Sequence, residues 1–384
     1  MPPYLAGREP EIAEFRVLLQ QTTVLRNMVL TGLRGVGKTV LLETLRPLAV
    51  SQGWGWVGAN LSEASSISEE NLAIRLIADL AVVTGTAEVA RRDIVQVGFR
   101  PQGRQQAVHL DFATLRAVYD TTPGLSSDKL KAVLELVAAL LPKLGVRGLI
   151  FAYDEAQNLA DQAQDKQYPL SLLLDTFQSI QMRASPFMLV LTGLPTLFPK
   201  LVEARTFAER MFRVLFLDRL DETASRQAIT LPLEQHPGPV TFSPKSVARI
   251  VHESGGYPYF IQFICRECFD AFLQRLEARV EPSIPVADIM RKLDSDFFAG
   301  RWARVTDRQR ELLKLIASLD SCDREFTVQE IVEASRRGVS KPFSASHVNQ
   351  MLASLAEAGL IYRNRHGRYS FAVPLMGQFI RRQQ

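Results

Sequence analysis

The spacing of apolar residues changes along this chain, and the changes divide it into parts. From Glu11 to Leu19 apolar positions recur at helical spacing (Ile12, Phe15, Leu18, Leu19), which predicts an amphipathic helix. Short unbroken apolar runs at Met28–Leu30, Trp54–Ala59, Leu149–Tyr153, Met188–Leu191 and Val214–Leu217 predict five buried strands, with helical patterns between them. Strands that alternate with helices specify an α/β fold, a five-stranded parallel sheet with helices on both faces. Between about Thr84 and Asp128 the pattern weakens. Arg91, Arg92, Arg100, Pro101, Gly103, Arg104, Pro123 and Gly124 there predict an irregular insertion ahead of a helix at Lys129–Leu141.

Past Asp218 no strong strand pattern returns until the end. Helical stretches at Glu222–Thr230, Pro244–Glu253 and Pro258–Leu276 predict an all-helical second domain, with a break at Glu281-Pro-Ser-Ile-Pro. The last part begins near Arg301. It reads as an amphipathic helix (Asp307–Leu319), a second helix opened by Thr327, and a third from Ser344 to Gly359. A hairpin follows at Leu360–Phe371. Helix, helix, helix and hairpin is the element order of a winged helix. The expected division is therefore a sheet domain at 1–217, including the insertion at 84–128, a helical lid at 218–300 and a winged helix at 301–384.

A chain of 384 residues with 47% hydrophobic content has material for two or three cored domains. No run approaches the roughly 18 apolar residues of a membrane span. The opening Met-Pro-Pro-Tyr-Leu-Ala-Gly-Arg-Glu lacks the basic and apolar regions of a signal peptide. Three cysteines, an odd number, argue for a reducing compartment, so a cytoplasmic location is expected. Cys265 and Cys268 fall in Phe260-Ile-Gln-Phe-Ile-Cys-Arg-Glu-Cys-Phe, at helical spacing among apolar residues. They read as part of a buried helix face and not as a zinc or redox pair. Net charge is +4, and it is uneven. From Arg301 onward fourteen Lys/Arg face eight Asp/Glu, a net +6, which leaves the first 300 residues at −2.

The candidate chemistry begins where the first strand ends. Asn27-Met-Val-Leu-Thr-Gly-Leu-Arg-Gly-Val-Gly-Lys-Thr carries the phosphate-loop pattern G-x-x-x-x-G-K-T, from Gly32 to Thr39. Glycines at 32, 35 and 37 let the backbone aim successive N–H groups at a polyphosphate, and Leu33, Arg34 and Val36 complete the loop. Lys38 neutralises β/γ-phosphates, the Thr39 hydroxyl holds Mg²⁺, and the helix from Val40 adds its positive end to the same anion. Magnesium needs a carboxylate opposite that threonine. Gly148-Leu-Ile-Phe-Ala-Tyr-Asp154-Glu155 supplies one in Asp154 at a strand's carboxyl end, and Glu155 beside it is the candidate general base for an attacking water. The next strand ends in Thr192, placed to bond the γ-phosphate or that water.

The order Gly7-Arg8-Glu9, phosphate loop, Asp154-Glu155, Thr192 and Gly255-Gly256-Tyr257-Pro258 resembles the AAA+/STAND group of P-loop ATPases. Within it the chain is similar to prokaryotic ATPases related to origin-recognition initiators that end in a winged helix. The resemblance implies ATP/ADP and Mg²⁺ as ligands, and it places Gly7, Arg8 and Glu9 near the adenine. It makes Thr192 the polar sensor, and Gly256 and Pro258 part of a lid element approaching the nucleotide. Initiator lids commonly carry an arginine near this point. Tyr259 and Phe260 stand here instead, a departure towards the STAND pattern. An arginine finger from a neighbouring subunit is also implied, with Arg210 the first candidate among Arg205, Arg210 and Arg213.

On duplex DNA, the third helix of a winged helix would turn Ser346, His347, Asn349 or Gln350 to base edges. Arg363, Arg365 and Arg368 on the wing would take phosphates or the minor groove. Winged helices also dock proteins and pack oligomers, so a protein partner or a homo-oligomer stands beside DNA. Two function classes follow: a DNA-associated initiator- or loader-like ATPase, and a regulatory switch with slow or no hydrolysis whose winged helix binds protein.

Overall fold

The computed structural model describes residues 4–58, 60–85, 88–90, 107–277, 284–338, 341–365 and 367–383. Five strands build the main sheet: β1 (Asn27–Gly32), β2 (Trp54–Val57), β5 (Gly148–Tyr153), β6 (Phe187–Gly193) and β7 (Phe212–Leu217). Their order is β2-β5-β6-β1-β7. Between β2 and β5, β3 (Glu88–Ala90) and β4 (Ala107–His109) pair antiparallel as a separate two-stranded element. The pairs β2–β5, β5–β6 and β1–β6 are parallel, with Tyr153 opposite Leu191 and Leu30 opposite Thr192. That register brings the carboxyl ends of β1, β5 and β6 to one edge. All residues of these three strands are buried, which is why the sequence shows unbroken apolar runs and no alternation.

Helices cover the sheet on both faces. α1 (Glu9–Leu19) and α2 (Lys38–Ser51) lie on one side, where Trp54 Nε1 donates to the Leu19 carbonyl at 3.2 Å and Phe15 meets Trp56 edge-on. α3 (Glu69–Thr84), α4 (Phe112–Thr121), α5 (Ser126–Leu144) and α6 (Pro169–Met182) share a core with Leu149, Phe151 and Tyr153 on the other. Phe151 stands edge-on to Phe177 of α6 and Phe187 of β6, with centroids 5.0 and 5.6 Å apart.

Three expectations change. β2 stops at Val57, because Gly58 turns to φ +126° where a Cβ would lie 2.0 Å from the Ala152 carbonyl oxygen. Ala59 lies outside the described residues, and Asn60 then bridges to Asp154. The stretch at 84–128 is not irregular throughout. Asp111 caps α4 by accepting the Thr114 N–H, and Leu115 and Tyr119 bury one narrow stripe of it. Two buried positions in ten residues are too few to read as a periodic pattern. Arg91, Arg92, Arg100, Pro101, Gly103 and Arg104 lie outside the described residues. Finally, α5 starts at Ser126, not at Lys129, because the Asp128 carboxylate accepts the Leu125 N–H and closes the first turn.

A buried amide anchors the root of β1. Asn27 Nδ2 donates to Gln181 Oε1 and to the Met211 carbonyl, while its Oδ1 accepts from Gln181 Nε2 and from the Leu189 N–H at 2.7 Å. Replacing Asn27 with alanine strands several buried polar groups at once. The expected cost is about 2–4 kcal/mol of stability, read as a lower urea midpoint with unchanged slope.

Contacts divide the chain into two units, one of Arg8–Thr31 with Lys38–Phe216, the other of Met1–Gly7 with Gly32–Gly37 and Leu217–Gln384. The sheet unit's helices end with α7 (Leu197–Ala204) and a short turn at Ala208–Met211, and in the other unit the helices α8 (Glu222–Gln235), α9 (Pro244–Ser254) and α10 (Pro258–Glu277) follow one another. Ile229, Ile250, Ile261 and Cys268 pack at their centre. After α11 (Val286–Leu293) come α12 (Asp307–Ser318), β8 (Phe326–Thr327), α13 (Val328–Gly338), α14 (Ala345–Glu357), β9 (Ile361–Arg365), β10 (Arg368–Phe371) and α15 (Met376–Arg382). This is the element order expected of the last segment, with β8 added as a third antiparallel strand in the order β8-β10-β9. Three of its helices, α12, α13 and α14, start where the sequence supplies caps. Thr306 and Gln309 form a reciprocal box, Thr327 and Glu330 another, and Ser344 accepts the His347 N–H. Phe260 of α10 shares the core of this last segment with Phe298 and Phe379, which stack at 4.8 Å. No helix among the described residues is long and apolar enough to cross a membrane.

Candidate functional site

The loop that leaves β1 is shaped by its glycines. A Cβ on Gly32 would lie 2.3 Å from the Leu217 carbonyl oxygen, so only glycine fits where β1 ends. Gly35 and Gly37 adopt φ +79° and +92°, backbone that L side chains rarely take, and these turns re-aim the intervening N–H groups. Val36 between them is buried and pins the loop. Leu33 is half-buried, while Arg34 is exposed and its Nη2 lies 3.9 Å from where a Cβ on Gly359 would sit.

The Gly256-Tyr257-Pro258 element touches this loop. Gly256, at φ +78°, is held by the Leu220 N–H on its carbonyl at 2.8 Å, and Pro258 opens α10. The Pro258 Cγ lies 3.9 Å from the Cβ position of Gly37, and the Tyr259 N–H donates to the Gly35 carbonyl at 3.0 Å. Tyr259 thus grips the loop through its backbone. Its ring packs on Phe297 at 5.0 Å.

Lys38 and Thr39 open α2 directly after Gly37, Lys38 buried at 9% exposure and Val40 half-buried behind it. In the sheet unit three predicted residues converge. The Thr39 hydroxyl donates to Asp154 Oδ2 at 2.5 Å, the Thr192 hydroxyl donates to Asp154 Oδ1, and the Glu155 N–H donates to the same Oδ1 at 2.8 Å. Asp154 and Thr192 are buried, whereas Glu155 is exposed. Glu155 also sits at φ +54°, a left-handed conformation that is costly for a side-chain-bearing residue and accumulates at functional sites.

Other predicted residues are placed without converging on this group. Gly7 is at φ +61° with a Cβ position 2.7 Å from Ala224 Cβ. Arg8 is buried and ion-paired to Glu11 at 3.6 Å, and Glu9 is exposed at the start of α1. Of the three arginines before β7, Arg205 is locked bidentate to Asp175 and Arg213 to Glu14. Arg210, in a helical turn at Ala208–Met211, is exposed and makes no ion pair among the described residues. Cys265 and Cys268 both lie in α10, and burial pushes each thiol up to about 12, so neither is a thiolate at neutral pH. Gln157 was not marked by any pattern, yet its side chain reaches both Glu155 and the Leu194 N–H. Only its place two residues past Glu155 could have flagged it.

On the last segment, His347, Asn349 and Gln350 are exposed on α14, opposite the buried Val348, Met351 and Leu352. Arg363 of β9 is exposed, Arg365 ends the same strand, and Arg368 of β10 is exposed but lies 4.0 Å from the Glu325 carboxylate.

Comparison with known proteins agrees with this geometry. The model of the AAA ATPase domain family matches residues 4–202, and that of a domain of unknown function, DUF8462, matches residues 295–380. No curated protein matches the chain by sequence. Among solved structures, the Aeropyrum pernix ORC2 protein as ADPNP-ADP complexes is similar at 14% identity and a TM-score of 0.55, over 100% of this chain and 95% of that one. The ADP form of the same protein aligns at 15% identity and a TM-score of 0.54, over 100% and 96%. At these identities the likeness is one of fold, and it extends from end to end. With its phosphate-loop pattern, the carboxylate that follows β5 and a match over more than half its length, the chain belongs to the AAA ATPase domain family.

Proposed function

We propose that this chain binds ATP with Mg²⁺, hydrolyses it, and passes its nucleotide state to a C-terminal winged helix that engages duplex DNA. The observation that carries the reading is the meeting of the Thr39 and Thr192 hydroxyls on the two oxygens of Asp154, with Glu155 next in the chain. This donor set fits magnesium, since a carboxylate and a hydroxyl are hard oxygen ligands that leave positions for phosphate oxygens. Asp154 and Thr39 would hold the ion, which when bound neutralises charge on the β- and γ-phosphate oxygens.

The protein's own groups do the rest. Backbone N–H groups of 33–37 and the Lys38 ammonium bind the phosphates. The Glu155 carboxylate takes a proton from the attacking water, and the Thr192 hydroxyl, fixed on Asp154, stands by as the polar sensor. The Tyr259 N–H on the Gly35 carbonyl lets the loop's conformation bias α10 and the helices behind it, so that nucleotide state selects between two arrangements. The nucleotide complexes of the similar Aeropyrum protein support a nucleotide role for this fold. Arg210 is the arginine offered to a neighbouring subunit. Arg210→Ala is expected to abolish any rise of specific ATPase activity with protein concentration and to leave the dilute rate unchanged.

The exposed polar face of α14 and the wing arginines support DNA as the partner, because phosphate contacts by arginine dominate non-specific affinity. Changing Arg363, Arg365 and Arg368 together to alanine is expected to weaken duplex binding and to reduce the salt slope of log K by about two to three. The deciding experiment is ATP turnover with and without duplex DNA across protein concentration. Stimulation by DNA supports this reading. Turnover indifferent to DNA, with nucleotide copurifying tightly, supports instead the slow regulatory switch with a protein partner, which the tyrosine at 259 also favours.

A further inference from the structure

Glu155 is exposed and sits on strained backbone, so something else has to hold its side chain still. The candidate is Gln157, half-buried two residues on. Its Oε1 accepts the Leu194 N–H at 3.1 Å. A backbone N–H needs an oxygen opposite it, and this fixes the orientation of the amide: the NH₂ group must point the other way. There it donates to Glu155 Oε2.

The rest of the residue is tied down as well. Its carbonyl accepts from Lys200 Nζ at 2.8 Å, and burial holds that ammonium's pKa below its ordinary value. Gly193 leaves the space the side chain uses, since a Cβ there would lie 2.6 Å from Gln157 Oε1. Leu194 is shared in turn, for its carbonyl accepts the Thr31 hydroxyl at 2.9 Å. One residue directly after β6 is therefore bonded through its carbonyl to β1, a residue before the phosphate loop begins. On the other side it reaches Glu155 through a single side chain.

We propose that Gln157 is a positioning residue for hydrolysis: its amide holds the Glu155 carboxylate in the orientation that takes a proton from water, and sets that orientation from the Leu194 peptide. The inference rests on Glu155 being the base. An amide donor does this work, whereas a carboxylate of the same shape cannot, because it repels Glu155 while still accepting the Leu194 N–H. That difference separates positioning from mere packing.

The test compares Gln157→Glu, Gln157→Ala and Glu155→Gln in the full chain. It measures steady-state ATP turnover, the Kd of a fluorescent non-hydrolysable ATP analogue, and Tm. Gln157→Glu is expected to lower kcat about ten- to a hundred-fold, the range produced by misplacing a reacting group by about 1 Å, with Kd and Tm unchanged. Gln157→Ala is expected to do the same. Wild-type kcat in Gln157→Glu overturns the proposal, as does a rise in turnover, which would make the contact a restraint on Glu155. Loss of analogue binding or of Tm alongside kcat in both variants overturns it too, since the role would then be structural. If Glu155→Gln loses turnover and Gln157→Glu does not, this inference fails alone. If Glu155→Gln keeps turnover, the assignment of the base fails first.

Discussion

Lys38→Ala is expected to weaken ATP binding by about 2–5 kcal/mol, roughly 30- to several-thousand-fold in Kd, the range seen when one partner of a buried charge pair is removed. Lys38 is only 9% exposed at the first position of α2, so its ammonium meets phosphate with little screening by water. The backbone N–H groups of 33–37 survive the change and continue to attract phosphate, which is why the loss is large but not unlimited. Alanine is the best helix former, so α2 and the fold persist. Equilibrium binding of a fluorescent nucleotide, with thermal unfolding as control, measures the effect. Native affinity in this variant would remove the loop from the site.

Glu155→Gln separates binding from chemistry. Glutamine has the same shape, carries no negative charge, and cannot accept a proton from water at neutral pH. Turnover is expected to fall about 10²- to 10⁴-fold, the usual contribution of a positioned general base, with analogue affinity unchanged. The backbone at 155 keeps its φ of +54°, because the substituted side chain is no bulkier, so the change is confined to the carboxylate. Single-turnover measurements at saturating ATP give the rate of the chemical step. Undiminished hydrolysis would show that another group activates water.

The legible features are those carried by residues close together in the chain. G-x-x-x-x-G-K-T and the run ending in Asp154-Glu155 are contiguous, and β1, β5 and β6 announce themselves because burial on both faces forces an unbroken apolar run. The capping pairs at Thr306, Thr327 and Ser344 are legible for the same reason, their members lying three residues apart. α4 was missed because it buries only Leu115 and Tyr119. Gly58 could not be told from any glycine in a strand, since what demands it is the Ala152 carbonyl, about ninety residues away. Nor could Arg205 and Arg213 be separated from Arg210. Their partners Asp175 and Glu14 lie 30 and 199 residues away in the chain, and only folding brings them close.

The sequence by itself determined that this chain has a phosphate-loop pattern, an apolar run ending in two adjacent acids, a parallel sheet, and a basic final segment. Local stereochemistry and burial period suffice for these, since glycine torsions and apolar runs act over a few residues. Tertiary structure decided which of those residues meet. It brought Thr39 and Thr192 to opposite oxygens of Asp154, set the Tyr259 amide on the Gly35 carbonyl, and ran Gln157 from Glu155 to the Leu194 peptide. Hydrogen bonds depend on tenths of an ångström between groups far apart in the chain, and packing fixes those distances where no pattern of residues records them.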